Sequence, residues 1–89
     1  MKQKVKVEIY TWDNCPYCQK TIQLFDSKSI KYIRYRVDND DSAREKMALR
    51  ANGKRSVPQV FINDKHIGGC DDTHVLDEKG ELEKLVFEI

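Results

Sequence analysis

Two cysteines, in the run Cys15-Pro16-Tyr17-Cys18, stand where a β-type pattern gives way to a helical one. That junction constrains the fold more than any other feature of the chain. Upstream, Val5, Val7 and Ile9 alternate with charged residues and Tyr10-Thr11-Trp12 follow, the period of a strand. Asp13 and Asn14 break it, and Pro16 suits the first position of a helix, where its missing N–H costs nothing. From Pro16 to about Lys28, Cys18, Ile22 and Phe25 recur at helical spacing, with Thr21 and Leu24 beside them. Tyr32 to Val37 is β-rich again. Strand, helix and strand in so short a span make a βαβ unit, which predicts parallel strands and a right-handed crossover.

The second half is patterned differently. Ser42-Ala43-Arg44-Glu45 has the form of a capping box, with Ala43, Met47 and Ala51 at helical spacing behind it. Asn52-Gly53 ends that helix. Pro58 to Ile62 reads as a short apolar strand, Asn63-Asp64-Lys65 as a turn and His66-Ile67-Gly68 as the returning strand of a hairpin. Asp71, Asp72 or Thr73 can cap a last helix carrying Val75, Leu76, Leu82, Leu85 and Val86, with a break at Gly80. The predicted order is βαβ, then α, then ββα.

Bulk properties narrow the function. Eighty-nine residues make one domain over residues 1–89 with a modest core. Sixteen basic and 15 acidic residues leave a net charge of +1, which gives no reason to expect nucleic acid or an anionic membrane as partner. No apolar run exceeds three residues, so neither a transmembrane helix nor a signal-peptide core is expected. A chain without an export signal is expected in a reducing cytoplasm. There, three cysteines speak for reactive or metal-bound sulfur more than for structural disulfides.

A C-x-x-C at a strand-to-helix junction reads as a redox dithiol. Cys15 would stand at the helix N-terminus, where unpaired N–H groups and the helix dipole favour thiolate over thiol. Helix-end electrostatics alone contribute about 0.3–1 kcal/mol. Direct N–H···S bonds, including one from Cys18, must therefore supply much of any large shift. Cys18, at i+3, shares a helix face with Cys15 and can resolve a mixed disulfide formed there. A buried cysteine pair without chemistry is the plain alternative.

Cys-Pro-Tyr-Cys after the first strand, Ser56-Val57-Pro58 before the third and Gly68-Gly69-Cys70-Asp71-Asp72 after the fourth together resemble the dithiol glutaredoxins over essentially the whole chain. The resemblance implies an α/β, thioredoxin-like fold with a four-stranded mixed sheet and helices on both faces. It implies reduction of protein disulfides and protein–glutathione mixed disulfides, with glutathione as reducing co-substrate and no metal. It also implies a glutathione groove. Tyr17 would line it, and Val57, before a cis Pro58, would hold the cysteinyl part by its backbone. Asp71 and Asp72, at a helix start after two glycines, would meet the γ-glutamyl end. Lys54 and Arg55 are candidates for the glycyl carboxylate.

The chain departs from the family at Trp12. Three residues before the first active cysteine, glutaredoxins commonly carry lysine or arginine, which places more of the charge on Lys54 and Arg55. Cys70 reads as a small structural residue or accessory thiol, and His66 and His74 form no recognised ligand spacing with the cysteines. Expected partners are glutathione and disulfide-bonded or glutathionylated proteins, ribonucleotide reductase being a common one in the family, and the chain is expected to be a monomer. Two rivals remain at this level. One is a thioredoxin-like reductase recharged by a flavoprotein. The other is a non-enzymatic iron–sulfur or zinc module, against which Pro16 counts.

Overall fold

Alternation along the strands sorts the core into two halves, one on each face of a central sheet. A computed structural model describes residues 2–88. Strand β1 (Lys2–Gln3) is followed by β2 (Val7–Thr11), helix α1 (Pro16–Ser27), β3 (Ile33–Arg36), α2 (Asp41–Arg50), β4 (Gln59–Ile62), β5 (Lys65–Gly68), α3 (Cys70–Glu78), α4 (Glu81–Val86) and β6 (Phe87–Glu88). The four-stranded sheet has the order β3-β2-β4-β5. β2 and β3 run parallel, as the βαβ pattern requires, and the other two pairings are antiparallel.

Because successive side chains point to opposite faces, Val7 and Ile9 of β2 join Val60 and Ile62 of β4 beneath Phe25 of α1 and Leu82 and Val86 of α4. Tyr10 and Phe61 point the other way and pack with Met47 and Ala51 at the end of α2. The expected spacing of Met47 and Ala51 therefore marks the buried stripe of α2, and the sheet carries helices on both faces. Asn63 and Asp64 both have positive φ, 53° and 64°, in a two-residue hairpin turn. Positive φ at both central residues matches the right-handed twist of the flanking strands.

Several boundaries differ from expectation. β2 starts at Val7 rather than Val5. α2 is capped by the Asp40 carboxylate on Ala43 N, so the cap lies two residues before the box-like Ser42 and the helix starts at Asp41. Asp40 offers a stronger acceptor for the same orphan N–H groups. α3 begins at Cys70 with Gly69 as N-cap, and Asp72 bonds back to the Gly69 N–H instead of capping from in front. The break at Gly80 is present, in the left-handed conformation at φ 73°. The antiparallel pairing of β1 with β6, Lys2 opposite Glu88 and Gln3 opposite Phe87, has no counterpart in the sequence reading.

Candidate active site

The β2–α1 junction positions the dithiol. Asn14, at φ 56°, turns the chain so that Cys15 becomes the N-cap of α1 with Pro16 at its first position. The Cys18 N–H donates to Cys15 Sγ at 3.2 Å, and Gln19 N–H donates to Cys15 O at 3.0 Å. The sulfur thus receives the direct N–H bond anticipated from the motif, at the positive end of a twelve-residue helix. Cys15 and Cys18 are joined as a disulfide, their Cα atoms 5.2 Å apart. Cys15 keeps 6% of its surface and Cys18 only 1%. An incoming thiolate or disulfide reaches Cys15 first.

Tyr17, between the cysteines, is 58% exposed and opens a groove of about 240 Å³. The rest of its wall is Lys54, Ser56, Val57, Pro58, Gln59, Gly69, Cys70, Asp71 and Asp72. The Val57–Pro58 peptide is cis. The start of α3 runs beside this turn, where a Cβ added at Gly69 would lie in ordinary contact with Pro58 O at 3.4 Å. Of the sequence candidates, Tyr17, Lys54, Val57, Pro58, Asp71 and Asp72 converge on this groove.

Arg55 does not. Its guanidinium is paired with Glu45, and its carbonyl accepts two bonds from Arg44, at 3.2 and 3.3 Å. Ser56, Gln59, Gly69 and Cys70 were not assigned to the groove from the sequence. Their adjacency to Val57-Pro58 and to the Asp pair was the available signal. Asp72 serves partly as a structural bond, its Oδ2 accepting from Gly69 N–H at 3.1 Å.

Trp12 is not left without charge. The guanidinium of Arg44, from the first turns of α2, stacks 4.9 Å from the centre of the indole ring. A cation therefore stands against the side chain of residue 12. Among the described residues, no three His, Cys, Asp or Glu side chains converge as a metal centre needs, and no helix is long and apolar enough to cross a membrane.

A parallel β-strand followed by a helix with a cysteine pair at its N-terminus, whose Tyr17 shares a groove with a cis-proline turn, defines a thioredoxin-fold thiol–disulfide oxidoreductase. The glutaredoxin family model matches residues 7–67, and the chain belongs to that family. It is 51% identical to a probable glutaredoxin of Synechocystis sp. over 86 residues, 97% of this chain and 98% of that protein. It is 42% identical to glutaredoxin 3 of Escherichia coli K12 over 80 residues, 90% and 95% of the two chains. The buckwheat glutaredoxin–glutathione complex superposes with a TM-score of 0.83 at 29% identity, covering 92% of this chain and 76% of that one. A dithiolic glutaredoxin of Trypanosoma brucei brucei gives 0.81 at 32% identity, over 91% and 86%. With its Cys15–Cys18 pair, the chain is a glutathione-dependent disulfide oxidoreductase.

Proposed function

We propose that the groove from Tyr17 to Asp72 binds glutathione, and that Cys15 and Cys18 divide the chemistry between them. The observation that carries this is the continuity of the groove with the dithiol through Tyr17, which belongs to both. Val57 offers backbone N–H and C=O to the cysteinyl part. The α3 N-terminus and Asp72 meet the charged γ-glutamyl end, Asp71 lies beside them, and Lys54 meets the glycyl carboxylate. Arg55, engaged by Glu45, contributes through the shape of the loop.

On a glutathionylated protein, the Cys15 thiolate attacks the glutathione-side sulfur, and the protein leaves as a thiolate. A second glutathione thiolate then attacks the adduct, giving glutathione disulfide and restoring Cys15. On a protein disulfide, Cys15 attacks one sulfur and the other departs. Cys18, after losing its proton, attacks Cys15 Sγ and releases the second thiol. That leaves the Cys15–Cys18 disulfide, which two glutathione molecules reduce in turn. Glutathionylated and disulfide-bonded proteins are the partners, ribonucleotide reductase among the candidates. The protein works as a monomer, in the cytoplasm, as one domain.

Cys18→Ser tests the division of labour. The variant is expected to keep its rate on a glutathionylated peptide and to lose turnover of a protein disulfide by at least about tenfold, measured in a glutathione-coupled assay. Equal loss of both activities would show that Cys18 does more than resolve.

A further inference from the structure

The groove wall has a second layer, and its anchor is a histidine to which the sequence assigned no role. Ser56 and Val57 precede β4 and lie outside its ladder, whose last pair with β2 is Tyr10 with Gln59. Side chains hold this segment instead. The Gln59 side chain, in a residue only 2% exposed, donates from Nε2 to Ser56 O at 3.0 Å and to Ser56 Oγ at 3.3 Å. Its other end, Oε1, lies 2.7 Å from His66 Nε2.

These contacts determine the protons. A carbonyl such as Ser56 O only accepts, so the amide must present its NH2 there and its oxygen to His66. That oxygen also only accepts, so His66 Nε2 carries a hydrogen and donates it. The imidazole is held in place by Phe61, the ring centres 5.2 Å apart and tilted by 34°. Burial, and next the Lys54 ammonium, push its pKa below the usual 6.5, with Asp72 acting in the opposite sense. A neutral ring with its hydrogen on Nε2 satisfies every contact named.

We infer that His66 and Gln59 are positioning residues for glutathione recognition. The His66 Nε2–H···Oε1 bond locks the Gln59 amide so that its NH2 grips Ser56, and this sets the turn from which Val57 lines the groove. The inference rests on the glutathione reading of the groove. Neither side chain touches the reacting sulfurs, so the effect belongs to binding and not to thiolate chemistry.

His66→Phe keeps a ring on Phe61 and removes the donor. His66→Gln places an amide N–H where Nε2 was. Against a glutathionylated peptide, His66→Phe is expected to raise KM about three- to tenfold, the scale of one uncharged hydrogen bond, with kcat and the rate of Cys15 alkylation by iodoacetamide unchanged. His66→Gln is expected to restore KM to within about twofold of wild type. Equal damage from both variants, or a matching fall in Cys15 alkylation, overturns the inference. An unchanged KM in His66→Phe beside a raised KM in Asp72→Ala overturns it while sparing the groove. If Asp72→Ala is also without effect, the glutathione reading of the groove falls and the inference with it. Nitrogen NMR of wild-type His66 needs no variant: a hydrogen on Nε2 at neutral pH is expected, and an unprotonated Nε2 overturns the inference.

Discussion

Gly68 and Asp72 show how closely single residues are matched around the groove. Gly68 has φ +126°, a backbone region in which side chains are strained, and an added Cβ would come within 2.7 Å of Asp72 Cγ. The carboxylate occupies the space the glycine leaves and from there reaches the Gly69 N–H. Gly68→Ala should therefore cost about 1–3 kcal/mol in backbone strain and push Asp72 from its place. Denaturant unfolding is expected to show the first effect and a raised KM for a glutathionylated peptide the second. A variant that loses stability but keeps its KM would separate Asp72 from recognition. The same closeness of fit is absent at Arg55, which pairs with Glu45 and does not line the groove. A basic residue beside the groove is legible in the sequence, but which of Lys54 and Arg55 is engaged by an acid from α2 is not, since Glu45 lies ten residues away.

Helix α2 is clamped to the sheet by charge as well as by its apolar stripe. Glu8 of β2 is 3% exposed, facing α2 rather than solvent. Arg50, the last residue of α2, grips it with two bonds, Nη2 to Oε1 at 2.8 Å and Nη1 to Oε2 at 3.1 Å. The Tyr35 hydroxyl donates to Oε2 at 2.8 Å, and Arg50 lies 4.1 Å from the Phe61 ring centre. Removing Arg50 from this half-buried pair leaves the Glu8 carboxylate with only Tyr35 and Lys6 beside it, at about 1–3 kcal/mol. Arg50→Met is expected to lose that much stability, and adding Glu8→Leu to recover part of it. Hydrogen bonds from Arg50, foremost, hold the Glu8 carboxyl below its usual 4.5. With the folded value lowered, the unfolded chain binds the proton more readily. The stabilisation is therefore present above about pH 4.5 and is lost as pH falls through the folded value. Arg50→Met should flatten that acid limb, and an unchanged limb would assign it to another group. The alternation of β2 placed Glu8 opposite Val7 and Ile9, but it took α2 to make that face an interior.

At the scale of the molecule, the sheet couples two half-cores that share no side chain among the described residues. Phe25, fully buried, anchors one beneath α1, and Met47, also fully buried, anchors the other beneath α2. Lys28, just past α1, bridges Asp77 of α3 at 2.8 Å and Glu83 of α4 at 2.7 Å, while β1 and β6 pair the two ends of the chain. Trp12 packs with the α2 half-core, so its fluorescence reports the face opposite Phe25. Phe25→Ala should cost about 3–5 kcal/mol. The unfolding midpoints by Trp12 fluorescence and far-ultraviolet circular dichroism should fall together. Midpoints that separate would show that the two faces melt independently and that the sheet does not transmit the loss.

Resemblance to the glutaredoxins pointed to most of the groove residues, whereas the amino-acid order by itself placed the dithiol at a helix start and set the order of the main elements, the parallel β2–β3 pair and the β4–β5 hairpin. Those features depend on period, caps and turn residues, which are local. Tertiary structure decided what lies between residues far apart in the chain. It brought Arg44 onto Trp12, buried Glu8 under Arg50, paired Arg55 with Glu45, joined β1 to β6 and placed His66 behind Gln59. Periodicity reports which face of its own element a residue occupies. The partner on the opposing element is chosen only when the two faces meet.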